Sequence, residues 1–246
     1  MREREEDILE FIIRDYIKSA QAVASRRISE TGNFQVSPAT VRNVMLELDG
    51  EGYLAQPHTS AGRVPTDKAY RYFVDFLMEY REPARKEREL FDAVFENIHA
   101  EHELFFEKFG KLLAEELGLF TAVASFSGKR AGAARPVKAG GFGLEEVMKE
   151  PEFEDHRLSV EFARLVDRLD SVAGEYLEHS RSASPSVFIG GENPANLARD
   201  FGAVSLKFKD EELGECVVFS IGPKRMNYEK AASLLNFVIR DISESR

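Results

Sequence analysis

Ser37-Pro38 is the tightest constraint on how this chain folds. A serine that can cap a helix stands directly before a proline at the first helical position, where a missing N–H costs nothing. Behind them, Val41, Val44, Met45 and Leu48 recur at i, i+3, i+4 and i+7, so a helix from Pro38 to about Asp49 buries that face and ends at Gly50 or Gly52. The same geometry turns Thr40, Arg42, Asn43 and Glu47 away from the core. Upstream, Ile8, Leu9, Ile12, Ile13, Tyr16 and Ile17 make one face of a helix from Glu3 to Ala20. A second short helix is expected from Ala22 to Glu30, broken at Thr31-Gly32-Asn33-Phe34, where Gly and Asn tolerate positive φ.

Two short helices joined by a turn, the second with polar readers on its outer face, form the pattern that enters a DNA major groove about 12 Å wide. Arg42 can be bidentate to guanine and Asn43 to adenine, with Ser37, Thr40 and Glu47 beside them. Ser25, Arg26 and Arg27 precede the turn, where they can hold phosphates and set the register. After the apolar pair Tyr53-Leu54 comes a polar loop from Pro57 to Pro65. Its His58, Thr59, Ser60, Ala61, Gly62 and Arg63 have the make-up of a wing, with small residues to approach the backbone and Arg63 to enter the minor groove. An aromatic helix should follow from Asp67 to Tyr80.

Charge argues against nucleic acid at first sight, with 33 Lys and Arg against 43 Asp and Glu and a net of −10. The acid is unevenly placed. Residues 1–85 hold 12 basic and 14 acidic side chains, and residues 21–72 hold 6 basic and 5 acidic. A weakly basic surface of this kind depends on base readout and two-fold symmetry more than on phosphate attraction. The single Cys216 excludes an internal disulfide or a cysteine-rich zinc site and suggests a reducing, cytoplasmic setting. The charged opening MREREEDILEFIIRDYI suits neither a signal peptide nor a membrane span.

Pro83 suggests a break between Glu82 and Ala84. A long helix should follow, with Phe91, Phe95, Ile98, Phe105, Phe109 and Leu112 (and His102) in a heptad-like seam, a candidate surface for self-association that could equally pack within the chain against a helix from Val160 to Leu177. Ser127 to Arg135 reads as a loop and Gly140-Gly141-Phe142-Gly143 as a turn. Strands are expected at Leu119–Phe126, Val187–Ile189, Val204–Phe208 and Glu215–Ile221. A short helix at Pro194–Asp200 and a final one at Tyr228–Ile242 complete an α+β chain.

The run Val36-Ser37-Pro38-Ala39-Thr40-Val41-Arg42-Asn43, then Leu48, Gly52-Tyr53-Leu54, Gln56 through Asp67 and Tyr70-Arg71-Tyr72, closely resembles the winged-helix domain of the HrcA heat-inducible transcription repressors. Ile189-Gly190-Gly191-Glu192-Asn193-Pro194 and Ile221-Gly222-Pro223-Lys224-Arg225-Met226-Asn227-Tyr228 resemble the family's C-terminal signature in a GAF-like domain, and Pro151-Glu152-Phe153 is a weaker match. The resemblance implies a winged helix-turn-helix over 1–81, a linking helix over 82–118 and a GAF-like mixed α/β domain over 119–246. It also implies repression of chaperone genes, an inverted-repeat operator in double-stranded DNA, a homodimer, and support by the GroE chaperonin. Family members usually carry an inserted dimerisation domain, for which the gap between Phe126 and Pro151 has no room. The alternative is a ligand-sensing or protein-docking regulator that uses the winged helix for interaction rather than DNA.

No catalytic constellation stands out, and no cofactor or metal is expected. Glu96-x-x-His99 with Glu103, and Glu175 with His179, have metal-ligand spacings but lack a matching second motif. Cys216 sits in an apolar strand and reads as a buried thiol. Asn193, Arg225 and Asn227 are the best-matching polar residues of the C-terminal signature, with turn chemistry and capping as their simplest role.

Overall fold

A computed structural model describes the chain apart from residues 33, 35, 59–60, 96–101, 127–135, 183, 211–213 and 245–246; the side chains of 95, 102–105 and 241–244 are likewise outside the description. The chain divides into two units, Met1–Met78 and Glu79–Arg246.

The first unit opens with α1 (Glu3–Ser19), α2 (Ser25–Thr31) and α3 (Pro38–Gly50). Three glutamates in the first turn of α1 complement its dipole, and its end at Ala20 takes the left-handed φ of 53°. Ile8, Leu9, Ile12 and Ile13 of α1 are fully buried together with Ile28 and Val41, and Leu48 is nearly so. Two two-residue strands, β1 (Leu54–Ala55) and β2 (Val64–Pro65), pair antiparallel. Val23, expected inside a helix, instead bridges to Arg63, so α2 starts three residues later than its apolar pattern suggested. The aromatic helix is also shorter than expected. α4 spans Asp67–Tyr72, passes into a π-helical turn at Phe73–Leu77, and the backbone is extended at Met78.

The second unit begins with α5 (Arg85–Phe95) and α6 (His102–Leu117). It continues with β3 (Phe120–Phe126), β4 (Lys138–Phe142), α7 (Leu144–Val147) and a 3-10 turn at Pro151–Glu154. Next come α8 (His156–Asp167), α9 (Leu169–His179), β5 (Ser186–Ile189), β6 (Phe201–Asp210), β7 (Gly214–Pro223) and α10 (Tyr228–Glu244). The strands make one antiparallel sheet in the order β4-β3-β7-β6-β5. One face carries Phe120, Ala122, Phe201, Val217 and Phe219 against Phe162, Leu165, Val172 and Tyr176 of α8 and α9. The other face is covered by α6 and α10. The whole is a mixed α/β chain.

Four expectations for this unit need correction. The helix expected from Val160 to Leu177 is two, divided at Arg168. Pro194–Asp200 is a single 3-10 turn at Asn196–Ala198. Gly140-Gly141-Phe142 is not a turn but most of the edge strand β4, with Gly140 opposite Val123 and Gly141 opposite Ala122. The seam is used within the chain: Phe91 and Phe109 are fully buried and meet edge-on at 6.4 Å. Phe91 also meets Phe237 of α10 at 6.3 Å, so its partner is the last helix rather than Val160–Leu177. Leu112 is half-buried, while Ile98 and the side chains of Phe95, His102 and Phe105 lie outside the described residues, as does the 127–135 stretch.

Candidate nucleic-acid interface

The exposed face of α3 is set by its cap. Ser37 Oγ accepts the Thr40 N–H at 3.2 Å and lies 3.0 Å from Thr40 Oγ1, so both hydroxyls first serve to start the helix. With Val41, Val44, Met45 and Leu48 turned inward, Arg42, Asn43, Leu46 and Glu47 face outward. Among the described residues Arg42 makes no ion pair and Asn43 no side-chain hydrogen bond. Glu47 differs from the expected free reader, because Arg2 at the head of α1 holds its carboxylate at 2.5 Å.

The cations before the turn are paired along the surface. Arg26 Nε reaches Glu30 at 2.7 Å, and Arg27 grips Asp15 with two bonds of 2.7 and 2.6 Å. Those carboxylates hold both guanidinium groups above their usual pKa, by hydrogen bonding first and charge second. Exposed pairs of this kind are weak because solvent screens them, so a phosphate can replace either carboxylate. Ser25 is half-buried beside them.

The 57–65 segment is fastened by backbone hydrogen bonds and by an ion pair. Val23 and Arg63 exchange both N–H···O bonds at 2.9 Å. This approach demands Gly62, because a Cβ there would stand 2.2 Å from the Val23 carbonyl oxygen. Gln56 Nε2 donates to the Ala61 carbonyl at 3.1 Å, and the Ala61 N–H to that of His58 at 2.9 Å. Thr66 Oγ1 donates to the Gly52 carbonyl at 2.8 Å and accepts from the Ala69 N–H at 3.3 Å, joining strand end to helix start. His58 is exposed, and Thr59 and Ser60 lie outside the described residues. Arg63 departs from the expected minor-groove reader: its side chain is 13% exposed, and Nε lies 2.8 Å from Asp49 Oδ2 at the end of α3. It positions the 57–65 segment against α3.

Between α3 and this segment runs an open groove of about 340 Å³, lined by Ser25, Arg42, Leu46, Gln56, Ala61 and Arg63 among others. Sequence reasoning missed Leu46, which is 53% exposed. Its signal was legible, since it falls outside the buried stripe of α3. Gln56 was equally visible as the polar residue following β1.

In the second unit the signature residues turn inward. Asn193 is buried, donating to the carbonyls of Gly190 and Phe201 at 2.9 Å and accepting from Tyr176 Oη at 2.5 Å. Arg225, also buried, binds Glu152 through Nε at 2.5 Å and pairs with Glu150, which ties the last signature block to the Pro151-Glu152-Phe153 block. Asn227 Oδ1 accepts the Lys230 N–H at 3.0 Å and caps α10. The Cys216 thiol is fully buried, and burial pushes its pKa up to about 12. His179 Nδ1 sits 2.9 Å from the Glu175 carbonyl oxygen rather than sharing a ligand with its carboxylate. No cluster of three metal-binding side chains occurs among the described residues. Glu96, His99 and the Glu103 side chain lie outside them.

The fold has a solved counterpart. A crystal structure of a hypothetical protein at 2.2 Å resolution matches with a TM-score of 0.69 and 20% identity, covering 99% of this chain and 98% of that one. The class is therefore a mixed α/β protein with a helical N-terminal unit. Residues 80–232 match the family model for the HrcA protein C terminal domain, and the chain belongs to the HrcA family. It is similar to the heat-inducible transcription repressor HrcA of Pelotomaculum thermopropionicum, 43% identical over 121 residues, 49% of this chain and 34% of that protein. The Carboxydothermus hydrogenoformans repressor of the same name is 47% identical over 122 residues, 49% and 35% of the two chains. That of Desulforudis audaxviator is 35% identical over 180 residues, 72% and 50%. The matched stretch thus spans half or less of these relatives' length. No helix among the described residues is long and apolar enough to cross a membrane.

Proposed function

We propose that this chain is a DNA-binding transcriptional repressor of heat-shock genes, with Met1–Met78 a winged helix-turn-helix and α3 its recognition helix. The carrying observation is the pair Arg42 and Asn43. They are exposed and unengaged among the described residues, on the helix that borders an open groove, while neighbouring cations are held by carboxylates. Base readers have to be free of internal partners, whereas phosphate contacts can be made by exchange. The Val23–Arg63 bridge beside β1 and β2 supports a minimal three-stranded wing base. The antiparallel sheet between two helical layers supports the GAF-like reading of the second unit.

An inverted-repeat operator requires two copies whose recognition helices lie roughly 34–36 Å apart, so the working form is a homodimer. The GroE chaperonin is the partner that family membership suggests for maintaining the active repressor. The chain acts without enzymatic chemistry in this reading. A gel shift with the DNA upstream of the host's own chaperonin operon tests it. A retarded band that unlabelled operator removes and random DNA does not is the expected result; no preference over random DNA would favour the protein-docking alternative.

A further inference from the structure

Leu46 contributes little to the fold that carries it. It stands on α3 but outside the buried stripe of Val41, Val44, Met45 and Leu48, and it is 53% exposed. Met1 and Phe76 are the other large apolar side chains left exposed among the described residues of the first unit, and neither lies on this helix. A lone exposed leucine elsewhere on the surface would need no explanation. This one follows Arg42 by four residues and Asn43 by three, so the three share one helix face. With Arg42 it also lines the groove beside α3.

The chemistry of the major groove decides what such a side chain can meet. Guanine, cytosine and adenine present only donors and acceptors there, whereas thymine adds a C5-methyl, the one apolar group on any of the four base edges. A leucine held against a polar edge strips water from donors and acceptors and returns no hydrogen bond, which carries a penalty for each unpaired group. Against a thymine methyl it removes apolar surface of both partners from water. On the DNA reading proposed above, on which this rests, we infer that Leu46 is a specificity-determining residue. It packs on the C5-methyl of a thymine in each operator half-site and disfavours the other bases at that step. Four residues of helix advance about 6 Å, less than two base-pair steps of about 3.4 Å, so this thymine lies one or two steps from the base that Arg42 reads.

Deoxyuridine lacks that methyl group and is otherwise the same base, which makes it the probe. Fluorescence anisotropy is measured with the full chain on the operator upstream of the host's chaperonin operon, each thymine being replaced in turn by deoxyuridine in both half-sites. Replacement at one position should weaken binding about fourfold per half-site, the equivalent of one buried methyl group. Leu46→Ala should bind the native operator several-fold more weakly, bind random DNA unchanged, and no longer tell thymine from uracil at that position. Leu46→Met, which keeps an apolar end, should still tell them apart. Because the side chain is exposed, both variants should keep the thermal unfolding midpoint of the unmodified protein. A Leu46→Ala chain that loses random DNA equally or retains the thymine preference would overturn the inference and leave the DNA reading standing, as would an operator bound equally well whichever thymine is replaced. Absence of any preference for the operator over random DNA would overturn that reading, and the role of Leu46 with it.

Discussion

Arg42 and Arg225 stand in equally recognisable stretches of sequence, and the two units put them to opposite uses. Arg42 is exposed on α3 and unpaired among the described residues, one position from Asn43 and facing a groove. Arg225 is buried and clamped by Glu150 and Glu152. A motif whose charges remain outside is available to a partner, and one whose charges are turned inward holds its own fold. Asn43 and Asn193 make the same contrast, the first exposed and the second satisfied by two carbonyls and a tyrosine hydroxyl. On the proposed reading the N-terminal block is an interface, whereas the C-terminal signature braces the mixed α/β unit from within.

The contrast can be broken by substitution. The largest effect is expected at Phe109, where truncation to alanine empties a fully buried ring position against Phe91. Urea unfolding should show a loss of about 3–5 kcal/mol, with the oligomeric state by light scattering unchanged. Arg225→Met comes next, at about 2 kcal/mol. That is below the cost of breaking a fully buried pair, because the Glu150 and Glu152 side chains remain 33% and 26% exposed and can rehydrate. Its remaining folded fraction should bind DNA as tightly as the unmodified protein.

Arg63→Ala should cost about 1 kcal/mol by releasing Asp49, and should leave the salt dependence of DNA binding unchanged, since an inward-facing ion pair holds no phosphate. A clear fall in the salt slope would return Arg63 to the DNA. The smallest effect is a null one: with its thiol pushed up to about 12 by burial, Cys216 should resist thiol reagents at pH 8 until the protein is unfolded. Above the ordinary cysteine range the unfolded chain loses its thiol proton first, so this contribution is intact at neutral pH and is lost as pH rises toward 12.

Much of the first unit was legible because its information is local. The cap at Ser37, the four-residue stripe of α3 and its outward face all follow from spacing within thirteen residues. Arg63 was misassigned because its partners, Asp49 and the Val23 backbone, come from other elements, and composition alone cannot distinguish a cation pointing out from one folded in. Glu47 and Arg2 show the same limit, 45 positions apart in sequence. In the second unit, Gly140-Gly141 carries the composition of a turn, and only pairing with β3 makes it a strand. Of the expected aromatic seam Phe91 and Phe109 are buried, and the ring of Phe237 that Phe91 also meets lies on α10 at the far end of the chain. Local periodicity reveals which face is buried and leaves open what buries it.

The most direct measurement is fluorescence anisotropy of Asn43→Ala on operator and on random DNA at matched salt. Operator affinity should fall by about 1–3 kcal/mol while binding to random DNA stays constant, since a base contact carries sequence information and a phosphate contact does not. An equal loss on both DNAs, or no loss on the operator, would contradict the assignment of α3 as the reading helix.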